Sequence, residues 1–186
     1  MSPYIKLGNS HHAFFEFYIA ISGDKIMTTK KMVFGRENED FVQRIIECKT
    51  GYAVNNLNDV IKNHPITDLR VSSENVAYEV SIKAKNSPTW TSVRGVQSTD
   101  QYIVFVDVKH DDRVFYILNQ RQWKDVLIKI LPDRSKKYPG AEIIDGAIEW
   151  NWIVDNQPKK RRGSYLKPEE ISLYKDNWSV LPGVHK

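Results

Sequence analysis

Alternating apolar residues open the chain, and a helical pattern replaces them near residue 37. Residues 13–21 alternate between apolar and polar, Ser22-Gly23-Asp24 has turn composition, and residues 25–34 form a second extended run, so we predict an N-terminal β-hairpin. A helix is then predicted over residues 37–50, because apolar residues recur three and four positions apart and Gly51 follows as a C-cap. The apolar positions of this helix are Phe41, Val42, Ile45 and Ile46.

The middle of the chain returns to a period of two, with short apolar runs separated by polar turns. A polar loop over 55–65 and a turn over 72–75 divide these runs. A second amphipathic helix is predicted over 120–131. Strands are predicted at residues 52–54, 68–71, 76–84, 102–108 and 114–118.

The final third is polar, basic and irregular. Residues 133–140 and 157–163 contain proline and many cations, so we predict surface loops there. Pro168 and the two acids after it predict a short helix to residue 177. No repeat or linker divides the chain, which we interpret as one domain with a hairpin extension (1–34), a core (35–131) and an irregular C-terminal part (132–186).

The order of these elements predicts an α/β fold with a central mixed β-sheet flanked by helices. Hydrophobic residues make up 41% of the 186 residues, which is enough for a sizeable core. The formal charge of +4 is compatible with a polyanionic partner and is too small to argue for one. One cysteine, Cys48, excludes an internal disulfide and a cysteine-based zinc site, so a cytoplasmic location is expected. Residues 13–21 are too short to span a membrane.

Candidate chemistry lies on the predicted hairpin of residues 68–84. Alternation along its second strand puts Ser81 and Lys83 on one face, and Asp68 opens the first strand beside them. The first helix offers Glu37 and Glu39. Carboxylates bind Mg²⁺ or Mn²⁺, which activates water, while an ammonium neutralises a phosphate. This combination indicates phosphodiester hydrolysis.

The same residues carry a resemblance to a known family. The stretches "GRENEDFVQRIIECKTGYAV", "PITDLRV" and, after twelve intervening residues from the aspartate, "SIK" resemble the PD-(D/E)xK nuclease superfamily, and "VFVDV", "VFYIL" and "SLYKDNWSVL" resemble small bacterial members. The resemblance implies a restriction-endonuclease-like fold, with Asp68 as metal ligand and Lys83 as catalytic lysine. Glu39 or Glu37 would be the accessory helix glutamate. DNA is the implied substrate, RNA is the alternative, and a homodimer is compatible with the family.

One position departs from the family pattern. The second acid, two residues before the lysine, is Ser81, and a hydroxyl that keeps its proton is a poor magnesium ligand. Two functions therefore stay open. The first is a metal-dependent endonuclease acting on DNA, and the second is a catalytically inactive relative that binds nucleic acid or a protein partner.

Several cations besides Lys83 are candidates for contact with nucleic acid, apart from the trio of Asp68, Ser81 and Lys83. Each also has a simpler interpretation as a solvated surface charge, and Lys85 in particular fits a solvated strand end. Trp90 could stack on a base, but a place in the core is the preferred interpretation. The candidate nucleic-acid-binding residues are Lys85, Arg94, Lys159, Lys160, Arg161 and Arg162.

Overall fold

The computed structural model describes residues 30–59, 67–109, 112–154 and 157–184. In these ranges it has two α-helices, α1 (Lys30–Thr50) and α2 (Gln120–Lys137), and three short 3₁₀ helices at Leu57–Asp59, Pro168–Tyr174 and Trp178–Val180. The strands are β1 (Ala53–Asn56), β2 (Leu69–Ser72), β3 (Ala77–Lys85), β4 (Trp90–Val93), β5 (Gln101–Lys109), β6 (Asp112–Asn119), β7 (Glu142–Ile144), β8 (Ala147–Val154), β9 (Gln157–Arg162) and β10 (Ser164–Leu166).

A five-stranded mixed sheet forms the centre of the molecule, in the order β1-β2-β3-β5-β6. Strands β3 and β5 are parallel, and the other neighbours are antiparallel. Smaller sheets pair β4 with β10 and join β7, β8 and β9. The predicted α/β class with a central mixed sheet is therefore confirmed.

The two α-helices cover opposite faces of this sheet. Val42 and Ile46 of α1 share a core with Val80, Val104 and Ile117. Alternate residues of the same strands, Ile103, Phe105 and Leu118, pack with Trp123 and Leu127 of α2. Since successive side chains of a strand point to opposite faces, the central strands are apolar on both sides. The predicted arrangement of a sheet flanked by helices is confirmed.

Most of the predicted hairpin at the N-terminus lies outside the described residues. Its last part, residues 30–34, was expected to be extended, and this is wrong because α1 already begins at Lys30. Gly35 therefore lies inside the helix instead of before it. The predicted end of the helix is confirmed, since Gly51 has a φ of 69° and its N–H donates to the Glu47 carbonyl at 2.8 Å.

Two predicted loops of the C-terminal third are regular structure instead. The prediction of a loop at 133–140 is wrong for residues 133–137, because α2 continues through Pro132 and ends at Lys137. Basic residues suit the last turn of a helix, and the Arg134 guanidinium is held there by the Glu170 carboxylate at 2.8 Å. The loop expected at 157–163 is also wrong, because residues 157–162 form β9, paired with β8. A strand without alternating apolar residues gives no period-two signal.

A close approach at Gly95 predicts a measurable loss of stability. Its φ is +75°, and a Cβ there would overlap the Trp123 indole and lie 2.6 Å from the Gly146 carbonyl oxygen. We expect Gly95→Ala to lower the free energy of unfolding by about 2–3 kcal/mol, measured by urea denaturation. Gly35→Ala is the matched control, because nothing lies within 4 Å of a Cβ there and a helical alanine is favoured over glycine. Equal stability of the two variants would contradict the expectation.

Candidate active site

Asp68 directly precedes β2, at a point where the partner strand β3 continues past the start of β2. The Asp68 N–H donates to the Val80 carbonyl at 3.0 Å, as a last bond of the ladder. One carboxylate oxygen, Oδ2, accepts a hydrogen bond from the Ile82 N–H at 2.5 Å. The side chain thus satisfies a backbone donor of β3 that lies beyond the start of β2. This bond holds the carboxylate against the middle of β3.

Ser81 and Lys83 converge on the same carboxylate oxygen. The Ser81 hydroxyl lies 3.5 Å from Asp68 Oδ2, and the Lys83 ammonium lies 3.6 Å from it. The ammonium also donates to the Ile82 carbonyl at 3.1 Å. The structure therefore brings together three side chains that are thirteen and fifteen residues apart in the chain, on the face of the sheet opposite α1.

Solvent reaches Lys83 and part of Asp68, whereas Ser81 is buried. The Lys83 side chain is 37% exposed and the Asp68 side chain 15% exposed. The second oxygen of Asp68, Oδ1, accepts no hydrogen bond from any other described residue. A partly exposed carboxylate is suited to binding a cation, and the ammonium beside it is suited to binding a phosphate group.

The two helix glutamates lie apart from the trio. Glu39 Oε2 accepts hydrogen bonds from the side-chain amides of Asn56 and Asn58, each at 3.2 Å. Asn56 pairs with Leu69, so Glu39 is at the same end of the sheet as Asp68, but on the α1 face. Glu37 is exposed and forms no ion pair with a described residue. Neither glutamate contacts Asp68, Ser81 or Lys83.

The donor set at Asp68 fits a loosely held cation. Among the described residues, no group of three or more His, Cys, Asp or Glu side chains is arranged to hold a metal ion. Mg²⁺ in phosphate-processing sites is usually held by one or two carboxylates together with substrate phosphates and water. Asp68 supplies one such carboxylate, so an ion here would bind mainly together with a phosphate substrate.

Lys85 is buried, and its expected place as a solvated strand end is wrong. It is 4% exposed, and its ammonium lies 2.5 Å from Asp107 Oδ1 and 3.0 Å from the Ser87 carbonyl. The parallel pairing of β3 with β5 places Lys85 opposite Asp107, and the Trp90 ring covers the ammonium at 4.5 Å. Trp90 itself is buried, which confirms its predicted core position.

The remaining candidate cations are at the surface. Arg94 follows β4, is exposed and has no ion pair with a described residue. The cluster 159–162 is part of β9, so its cations alternate between two faces of a strand.

The buried aspartate that pairs with Lys85, Asp107, was not predicted from the sequence. An aspartate inside the apolar run "VFVDV" is a signal that would have flagged a buried charge with a partner.

Comparison of the chain with protein-family models, with curated proteins and with solved structures finds no match. In the described ranges, neither α-helix has the length and apolar character needed to cross a bilayer.

Proposed function

We propose that the chain is a metal-dependent nuclease that hydrolyses phosphodiester bonds of DNA at the site formed by Asp68, Ser81 and Lys83. The observation that carries the proposal is the 3.6 Å approach of the Lys83 ammonium to the partly exposed Asp68 carboxylate. The resemblance to the PD-(D/E)xK superfamily supports the same residues. So does their placement, since the acidic helix, the hairpin and the apolar strand that carry the resemblance all contribute to one sheet and its covering helix.

In this mechanism Asp68 would hold the cation, and the hydrogen bond from the Ile82 N–H to Oδ2 fixes the position of its carboxylate. A bound Mg²⁺ or Mn²⁺ would supply charge stabilisation and an acidified water. Lys83 places its ammonium beside the scissile phosphate and neutralises the charge that develops on it. Ser81 orients the Asp68 carboxylate through its hydroxyl and adds no charge. Glu39, held by two asparagine amides, supports the end of β1 next to Asp68.

A second candidate function is binding of nucleic acid without cleavage. It is favoured by the serine at position 81 and by the single carboxylate of the trio, because a weak cation site lowers the occupancy of the catalytic metal. In this case the Lys83 ammonium would contact a backbone phosphate without hydrolysis of the phosphodiester bond.

Incubation of the protein with supercoiled plasmid separates the two functions. We expect nicked and linear products with Mg²⁺ or Mn²⁺, none with EDTA, and none from Asp68→Asn in either condition. DNA retention in a salt-sensitive shift assay, without products in any metal, would favour the binding function. Undiminished cleavage by Asp68→Asn would contradict the proposed site.

Ser81 gives a test that does not depend on activity. Ser81→Asp places a second carboxylate beside Asp68, so we expect a lower Tm in EDTA and a larger rise of Tm with Mg²⁺ than in the natural protein. A metal ion present at 100-fold its Kd stabilises the folded state by about 2.7 kcal/mol. In a chain of this size, each kcal/mol of stabilisation raises Tm by about 2–4 °C. Ser81→Asn is the uncharged control. An equal metal response of the two variants would contradict metal binding at Asp68.

A further inference from the structure

Strand β9 sorts the four consecutive cations 159–162 into two chemically different faces. In its pairing with β8, Arg162 lies opposite Glu149 and Arg161 lies opposite Trp150. Residues two apart on a strand share a face, so Lys160 accompanies Arg162 and Lys159 accompanies Arg161. We call Lys160 and Arg162 the paired face, and Lys159 and Arg161 the open face.

Acids neutralise the paired face. The Lys160 ammonium lies 2.7 Å from Glu149 Oε1, and this hydrogen bond raises the pKa of Lys160. The Arg162 guanidinium lies 3.5 Å from Asp145 Oδ2 and donates to the Asp145 carbonyl at 3.0 Å. Both cations of this face are committed to contacts within the three-stranded sheet.

No acid among the described residues pairs with the cations of the open face. Lys159 and Arg161 are exposed, and neither forms an ion pair or hydrogen bond with any residue in the described ranges. The opposite residue on this face is Trp150, whose ring stacks on Tyr138 with centroids 4.8 Å apart. Lys137, at the end of α2, places its ammonium 5.4 Å from the Tyr138 ring, so positive charge continues beyond the strand.

We propose that the open face of β9 is a nucleic-acid-binding surface, separate from the Asp68 site, on which Lys159 and Arg161 contact backbone phosphates. Two exposed cations on a strand edge, with no acidic partner in the described ranges and with an aromatic stack and a third cation, Lys137, beside them, match a polyanion in charge. Phosphate contacts of this kind add salt-dependent affinity and no base specificity. Cations also protect an edge strand from pairing with other chains, but that role does not require acids on one face alone.

Two double variants with the same reduction in charge test this surface. Lys159→Ala/Arg161→Ala removes the open face, and Lys160→Ala/Arg162→Ala removes the paired face. Binding of a short fluorescein-labelled DNA duplex is measured by anisotropy over a series of salt concentrations. EDTA is present throughout, so the result does not depend on cleavage, and the Tm of each variant checks folding.

We expect the open-face variant to bind the duplex several-fold more weakly than the natural protein. The magnitude of its slope of log K against log salt should be smaller by about 1.8, or about 0.9 for each phosphate that the variant no longer neutralises. The paired-face variant is expected to keep the slope of the natural protein. Equal slopes in both variants, or a larger change in the paired-face variant, would overturn the proposal.

Discussion

Lys83→Ala is expected to lower the rate of Mg²⁺-dependent DNA cleavage by about 10²–10⁴-fold, the range found when a group that stabilises transition-state charge or transfers a proton is removed. The ammonium lies 3.6 Å from Asp68 Oδ2 and is the cation that the trio places toward solvent. Its removal leaves the developing phosphate charge without a counterion on this face.

The same substitution should change stability little. The side chain of Lys83 is 37% exposed, and its contacts are an ion pair with a partly exposed carboxylate and one backbone carbonyl. Exposed ion pairs contribute about 0–1 kcal/mol. Lys129→Ala, at an exposed position of α2, is the control for removal of one positive charge. Single-turnover cleavage of labelled DNA measures the rate, and a decrease in Lys83→Ala no greater than in Lys129→Ala would contradict the assigned role.

Asp107→Ala is expected to cause the largest loss of stability, about 3–5 kcal/mol, because it leaves the Lys85 ammonium buried without its counterion. Lys85 and Asp107 side chains are 3% and 2% exposed, so water cannot replace the missing carboxylate without rearrangement of the sheet. The covering Trp90 ring and the Ser87 carbonyl remain, and they offset only part of the cost. The free energy of unfolding in urea measures the effect.

Two controls separate charge burial from packing in this experiment. Lys109→Ala removes the exposed second cation, 3.4 Å from Asp107 Oδ2, and should cost about 0–1 kcal/mol. Lys85→Met/Asp107→Leu replaces both charges by apolar groups of similar size and should recover most of the stability that Asp107→Ala removes. A double variant as unstable as Asp107→Ala would show that packing, and not an unpaired charge, determines the loss.

The elements that follow a clear period were predictable from the sequence. Strands β2, β3, β5 and β6 alternate or are continuously apolar, and each lies within two residues of its predicted bounds. The end of α2 and the strand β9 were not predictable in this way. Their stability depends on tertiary contacts, the Arg134 pair with Glu170 and the pairing with β8, which local composition does not reveal.

In the candidate site too, local contacts were predictable from the sequence, and contacts between distant segments were not. Asp68, Ser81 and Lys83 belong to one hairpin, so local spacing was enough to place them together. The burial of Lys85 depends on the parallel pairing of β3 with β5, and its partner Asp107 is 22 residues away. The two faces of the cluster 159–162 depend on the register with β8. Contacts between elements that are distant in the sequence determine which of these cations pair with an acid in the described ranges.

Single-turnover cleavage of a labelled DNA duplex by the natural protein and by Asp68→Asn, with Mg²⁺ and with EDTA, tests the central claim most directly. Asn keeps the size of the side chain and an oxygen that accepts from the Ile82 N–H, but removes the negative charge. We predict Mg²⁺-dependent products from the natural protein and none from Asp68→Asn, with DNA binding in EDTA at least as strong in the variant. Products from both proteins at equal rates, or from neither, would contradict a nuclease site at Asp68.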